Sequence, residues 1–221
     1  MGQALTKICQ GDDNFQEVPT FDQADVVVDF TAPEATEKFI AECVALKRPM
    51  IIGTTGISPS LETKITTAAK SIPILQSGNM SLAVNLLASL VEQAAAKLGP
   101  DYDIEIFEAH HRQKKDAPSG TALMLGEAAA TGRGVKLDDK AVLSREGSTT
   151  PREAGAIGFS VLRAGNIIGD HDVWFGGQEE ILTLSHRALD RNLFAKGALA
   201  AAKWLIDQKP GRYSMRDMLE F

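Results

Sequence analysis

Residues 25–76 read DVVVDFTAPEATEKFIAECVALKRPMIIGTTGISPSLETKITTAAKSIPILQ, and the order of apolar runs and helical stretches within them decides the fold. Asp25 to Phe30 is a valine-rich run of strand length, the pattern of a strand buried on both faces of a parallel sheet. Thr31-Ala32-Pro33 opens a helix, with Pro33 suited to its first turn, and that helix is predicted to reach about Lys47. A second strand is predicted at Pro49 to Gly53, a second helix near Ser58 to Lys70, and a third strand at Pro73 to Gln76. Strand, helix, strand, helix, strand is the doubly wound pattern.

Downstream, Ser81 to Leu98 is a longer apolar-periodic helix stopped by Gly99-Pro100. The period then changes. Tyr102 to Ala109 alternates polar and apolar residues, as do parts of 156–163, 167–175 and 180–187, which predicts a largely antiparallel or mixed sheet. One helix, about Gly120 to Ala130, is expected among these strands, and the polar stretch Leu137 to Gly155 is expected to be a surface excursion. An alanine-rich helix, Leu193 to Gln208, precedes a short tail, Ser214 to Leu219. The expected fold class is α/β: an incomplete doubly wound, Rossmann-like parallel sheet plus an α+β domain with a mixed sheet. Two domains are expected, residues 1–80 with 191–221 packing back on them, and residues 81–190.

Composition narrows the function. With 221 residues, 44% of them hydrophobic, the chain can bury one large core or two modest ones. A net charge of -6 leaves no general basic face for nucleic acid or an anionic membrane, so neither is an expected partner. No apolar run approaches the ~18 residues of a membrane span. Met1-Gly2-Gln3-Ala4-Leu5 is no signal peptide, so the expected compartment is the cytoplasm. Cys9 and Cys43 are too few for a cysteine-based metal site or a disulfide framework. Neither sits at a helix N-terminus, where a reactive thiolate is favoured, and Cys43 reads as a small packed residue. No metal is expected.

The chemistry concentrates between Glu108 and Ala122, EAHHRQKKDAPSGTA. A strand ending at Glu108-Ala109 delivers His110 and His111, followed by Arg112, Lys114 and Lys115. In an acidic chain such a local cationic excess suits an anionic ligand, although charge alone favours a solvated charged loop. The next segment, Ala117-Pro118-Ser119-Gly120-Thr121, reads as a helix cap and weighs for the ligand. Gly120 admits a ligand close to the backbone, and Thr121 adds a hydroxyl beside unpaired amides that suit a carboxylate. Histidine can move protons near neutral pH.

The same fifteen residues match, at every fixed position, the pattern EAHHRxKxDAPSGTA, and the chain thereby resembles the dihydrodipicolinate reductase family of bacterial lysine biosynthesis. The resemblance implies hydride transfer from NADPH or NADH to a small cyclic dicarboxylate, reducing 4-hydroxy-tetrahydrodipicolinate to tetrahydrodipicolinate on the diaminopimelate route. By position, His110 resembles the family's catalytic proton donor or acceptor and Lys114 its proton donor. His111, Gly120 and Thr121 resemble the groups that grip the substrate carboxylates, and Arg191 resembles an arginine just after the last strand, a second anion partner. Asp29-Phe30-Thr31 resembles the end of the family's fourth strand, and the turn Gly53-Thr54-Thr55-Gly56 and Ser77-Gly78-Asn79-Met80 resemble segments beside the nicotinamide, so Phe30 and these turns are implied to bind the cofactor; Met80 replaces a phenylalanine and is expected to keep an apolar surface. Residues 1–80 are then a partial dinucleotide-binding domain, and 81–190 a substrate-binding and oligomerisation domain whose sheet implies a homotetramer. His171 and His186, with no cluster of ligands around them, read as structural.

The chain departs from the family's pattern at its start. A dinucleotide-binding domain opens with a strand, a GxGxxG turn and a helix, and none of these is present in the 221 residues. Roughly one βαβ unit is therefore expected to be missing, with weakened cofactor affinity and an exposed sheet edge that Ala4 to Cys9 covers in part. The alternative function is a truncated, non-catalytic or weakly active chain that binds a dicarboxylate or assembles with full-length subunits. A semialdehyde dehydrogenase would need a nucleophilic cysteine that neither Cys9 nor Cys43 offers.

Overall fold

The computed structural model describes residues 1–147 and 149–220, which divide into two compact units: 1–82 with 191–221, and 83–190.

The first unit is built on a four-stranded parallel sheet. Its strands are β1 (Val27–Asp29), β2 (Met50–Ile52), β3 (Pro73–Gln76) and β9 (Gly211–Tyr213), in that order across the sheet. The register pairs Val28 with Ile51 and Ile51 with Leu75. Alternation puts Met50, Ile52 and Ile74 in one apolar cluster and Ile51 and Leu75 in another, so both faces of the sheet are covered. On the first face lie α2 (Pro33–Leu46) and α3 (Pro59–Ala68), contributing Ile40, Cys43, Leu61 and Ile65. Pro33 and Pro59 stand at the helix starts, and the Ser58 hydroxyl caps α3 by accepting from Leu61 N. On the second face lie α6 (Asn192–Leu205) and the short α7 (Met215–Met218), contributing Ala198, Ala201, Ala202, Leu205 and Met215. Helix α1 (Gly2–Cys9) sends Leu5 against that same cluster.

Here the tail read at Ser214 to Leu219 is structured, as are residues 211–213, where no element was expected. Residues 211–213 form a fourth strand beside β3, pairing Ile74 with Arg212, and Ser214 and Asp217 close a capping box on α7. Gly211-Arg212-Tyr213 is too short and too polar to display an apolar period, so its strand comes from the docking edge that β3 provides.

The second unit is a five-stranded mixed sheet packed against two helices. The strands β4 (Asp103–His110), β5 (Ala141–Val142), β6 (Ile157–Arg163), β7 (Asp170–Gly176) and β8 (Ile181–Arg187) run in the order β5-β6-β4-β7-β8. Central β4 is parallel to β6 and antiparallel to β7. Ile104 and Ile106 of β4, Ile157 and Phe159 of β6, and Val173 and Phe175 of β7 face α4 (Leu82–Leu98) and α5 (Gly120–Arg133). The two helices pass so close that a Cβ at Gly132 would overlap the Glu92 carbonyl oxygen. Part of the expected excursion 137–155 is built into the unit: Leu137 is buried in a 3-10 turn, and β5 adds an edge strand parallel to β6. Its polar residues hide this, since Arg145 and Arg152 reach back to the Glu105 carboxylate.

Candidate functional site

In β4 the side chains of Glu108 and His110, two residues apart, point to the same face as Ile104 and Ile106, at the carboxyl end of the strand. Their neighbours on that face are Arg163 of β6, opposite His110, and His171 of β7, opposite Glu108. The loop 111–119 brings the N-terminus of α5 to the same end.

Glu108 is completely buried, and its carboxylate gathers contacts from three residues. Arg163 forks onto it, Nη1 to Oε2 at 2.8 Å and Nη2 to Oε1 at 2.7 Å; Ser119 N donates to Oε1 at 3.0 Å; His110 Nδ1 lies 2.6 Å from Oε2. Burial alone would raise the Glu108 carboxyl, but Arg163, His110 and the Ser119 amide outweigh it and hold it below the usual range. His110 moves down: burial disfavours its charged form more strongly than the Glu108 carboxylate supports it.

His171 belongs to the same cluster. Its ring meets that of His110 edge to face with centroids 5.1 Å apart, and its Nε2 lies 3.1 Å from Ser119 Oγ, which also accepts from Ala122 N as the cap of α5. Burial, and then the neighbouring His110, push His171 down to about 4. His186 pairs across the strands with His171 and is also shifted down by burial.

The remaining predicted residues of the loop take these places. Lys114 is partly buried with its ammonium 2.9 Å from Asp116 Oδ2, which holds Asp116 below its ordinary value. His111 and Thr121 are half-buried, and Gly120 is exposed at the first residue of α5, with no atom within 4 Å of where a Cβ would stand. Gly120 therefore leaves an open approach to the helix start. Arg191 is not brought to this loop within the second unit; it is an exposed residue preceding α6 in the first.

The turns expected near the nicotinamide lie in the first unit, at the carboxyl ends of β2 and β3. Asp29, buried at the end of β1, organises them: its carboxylate accepts from Thr31 N at 2.9 Å, from Thr54 Oγ1 at 3.0 Å and from the hydroxyls of Thr31 and Thr36. Thr54 is thus buried in the scaffold and Thr55 exposed. The Phe30 ring lies against Gly53, where a Cβ would overlap it. In the next turn Ser77 Oγ accepts from Asn79 N, and Asn79 Oδ1 accepts from Ser81 N. Gly78 is exposed. Met80 does not keep the expected apolar surface: it is 1% exposed among Ala198, Ala201 and Leu75.

Glu108 and Arg163 carry no role in the sequence reading. The signal was available in the strand period, which puts Glu108 on the His110 face, and in Arg163 closing a neighbouring strand. Cys43 is fully buried and its thiol is pushed up to about 12, chiefly by burial, which agrees with a packing residue. Among the described residues there is no cluster suited to a metal ion, and no helix is long and apolar enough to cross a membrane.

Comparison with known proteins gives a consistent result. The family models described as dihydrodipicolinate reductase, N-terminus and C-terminus match residues 7–80 and 83–219. The 4-hydroxy-tetrahydrodipicolinate reductase of Rhizobium rhizogenes is 57% identical over 201 residues, covering 90% of this chain and 73% of its own length. That of Cereibacter sphaeroides is 52% identical over 220 residues, covering 99% of this chain and 80% of its own. Among solved structures, the dipicolinate-bound dihydrodipicolinate reductase of Paenisporosarcina sp. TG-14 has the same fold, with a TM-score of 0.78 at 22% identity over 98% of this chain and 94% of that one.

Proposed function

Because the chain belongs to the dihydrodipicolinate reductase family, we propose that the loop after β4 is where it binds and protonates its substrate. The reaction is the reduction of 4-hydroxy-tetrahydrodipicolinate to tetrahydrodipicolinate, in the diaminopimelate route to lysine, with NADPH or NADH as cofactor. When bound, the nicotinamide would supply a hydride to the cyclic dicarboxylate once its 4-hydroxyl has left as water, and one proton would complete the reduction.

The observation that carries the assignment is the convergence of Glu108-anchored His110, the Lys114 ammonium and the open start of α5 on one end of the mixed sheet. Gly120 and Thr121 present helix N-terminal amides and a hydroxyl to one substrate carboxylate, with His111 beside them. Lys114, whose carboxylate partner in the structure is Asp116, exchanges it for the substrate and gives up a proton at Nζ. His110 handles protons at its ring. Arg191 serves a substrate carboxylate.

The turns of the first unit fit the nicotinamide side of the cofactor. Gly53-Thr54-Thr55 and Ser77-Gly78-Asn79-Met80 follow parallel strands at their carboxyl ends, where doubly wound sheets take nucleotides, and the Cβ positions of Gly56 and Gly78 open onto space with no atom within 4 Å. Phe30 buttresses Gly53 from beneath, and Met80 contributes its backbone. The assembly is a homotetramer, supported by the sheet face opposite α4 and α5, where Phe107, Leu162 and Trp174 lie and Trp174 is 46% exposed. The compartment is the cytoplasm.

The test is a titration of pyridine-2,6-dicarboxylate against wild type and Lys114→Ala, followed by a turnover assay with both nicotinamide cofactors. Loss of turnover in Lys114→Ala with a folded protein is expected. Unchanged dicarboxylate binding in both His111→Ala and Thr121→Ala overturns the assignment.

A further inference from the structure

One side chain with no assigned role connects the proton-handling histidine to the anion-binding helix. Glu108 divides its two oxygens between them: Oε2 lies 2.6 Å from His110 Nδ1, and Oε1 accepts from Ser119 N at 3.0 Å, one residue before α5. Arg163 spans both oxygens, and its Nη2 also donates to Asp116 O at 2.7 Å, bracing the loop between the two.

We propose that Glu108 is a positioning residue that registers the His110 imidazole against the start of α5 and holds it in the tautomer with its proton on Nδ1, leaving Nε2 bare toward the substrate. This deepens the reading of the loop as the substrate site and rests on it.

Valence decides the tautomer. A buried, ionised carboxylate accepts only, and two guanidinium N–H groups and an amide N–H already converge on it. The remaining contact, at 2.6 Å, must also be with a donor, because an imidazole lone pair facing that oxygen at low dielectric would be repelled. Neutral His110 has one proton, so it sits on Nδ1. Nε2 has no hydrogen-bond partner among the described residues, and only a glycine at 169 fits comfortably beside it, since a Cβ there would stand 3.0 Å away. Rotation of the ring is opposed by the edge-to-face contact with His171, which is 4% exposed and lies 3.1 Å from Ser119 Oγ. The charged and titratable groups facing His110 are therefore Glu108, Lys114, Arg163 and His171.

This tautomer divides the labour between the two candidate proton carriers. A bare Nε2 accepts a hydrogen bond or a proton and cannot donate one in the neutral state, so the proton that succeeds the hydride comes from the Lys114 ammonium. His110 Nε2 accepts a hydrogen bond from the substrate and orients it.

The chain has four histidines, which makes 15N imidazole NMR a direct test. His110 is assigned by difference from His110→Gln, and the wild-type spectrum at pH 7.5 is expected to show Nδ1 protonated and Nε2 bare. In E108Q, whose amide can donate to Nδ1, the tautomers should mix, and kcat should fall by roughly 10²-fold while KM for the dicarboxylate changes several-fold or less. A wild-type spectrum with the proton on Nε2 overturns the proposal without any variant, as does E108Q with an unchanged His110 tautomer and unchanged kcat. Pyridine-2,6-dicarboxylate added to the wild-type sample separates the two readings. If the His110 and His111 resonances ignore it while Nδ1 remains protonated, the substrate-site reading fails and the tautomer stands.

Discussion

Ser119 Oγ lies 3.1 Å from His171 Nε2 and 3.1 Å from Ala122 N, so a single hydroxyl joins a buried histidine to the start of α5. The start of α5, proposed above to meet a substrate carboxylate, is therefore fixed by a hydroxyl that is itself held by a buried histidine.

That linkage has an acid-sensitive consequence. The folded value of about 4 for His171 lies below its ordinary 6.5, so the unfolded chain takes up a proton first and stability falls as pH drops from about 6.5 to about 4. At 1.36 kcal/mol per unit the full loss is about 3 kcal/mol, with His110 and His186 adding to it in the same sense. His171→Gln should flatten this limb while lowering stability at pH 7.5 by about 1 kcal/mol. Urea midpoints measured from pH 7.5 to 4 check it, and a His171→Gln profile as steep as wild type contradicts it.

Lys114→Ala should reduce kcat by roughly 10²-fold or more, and Lys114→Met, which keeps length without charge, should be no better. Both variants should melt within a few degrees of wild type, since the Lys114 to Asp116 pair is largely solvent-exposed on the aspartate side. Steady-state turnover alongside thermal unfolding separates the two effects.

Asp29→Ala removes the acceptor for the buried hydroxyls of Thr36 and Thr54. Leaving the Thr54 hydroxyl without its acceptor, while Thr36 falls back on Ala32 O, should cost about 1–3 kcal/mol. The loss should fall on the nicotinamide side: nucleotide fluorescence titrations should weaken, while pyridine-2,6-dicarboxylate affinity, proposed above to rest mainly on the loop after β4 in the other unit, stays within twofold of wild type.

Gly197→Ala would place a methyl on the Met80 carbonyl oxygen. Alanine is worth about 1 kcal/mol over glycine inside a helix, but a backbone oxygen cannot move aside as a side chain can. The net expectation is a destabilisation of about 2 kcal/mol or more by chemical denaturation. A stabilised variant would mean that α6 docks less closely on residues 80–82.

Much of this architecture was legible because each element carries its own period. Valine and isoleucine runs with Pro33 and Ser58-Pro59 behind them announce parallel strands and helix starts, and the EAHHRQKKDAPSGTA loop carries its cluster in consecutive residues. The features that escaped depend on partners distant in sequence. Gly211-Arg212-Tyr213 becomes a strand because β3 offers an edge, and β5 because β6 does. Arg163 meets Glu108 across 55 residues, and His171 meets Ser119 across 52. Spacing alone does not announce such pairs, so a histidine with no ligand nearby in the sequence reads as inert until the sheet register places it behind His110.

The strand Gly211–Tyr213 docks on β3 across the whole of residues 83–190, so the first unit closes only when segments more than a hundred positions apart meet, whereas the second is continuous. A nascent chain leaving the ribosome N-terminus first can mature its later-encoded unit before the earlier one is complete. Until then β3 waits with an open edge, the stage at which chaperone capture or mispairing between neighbouring polysomal chains has its chance.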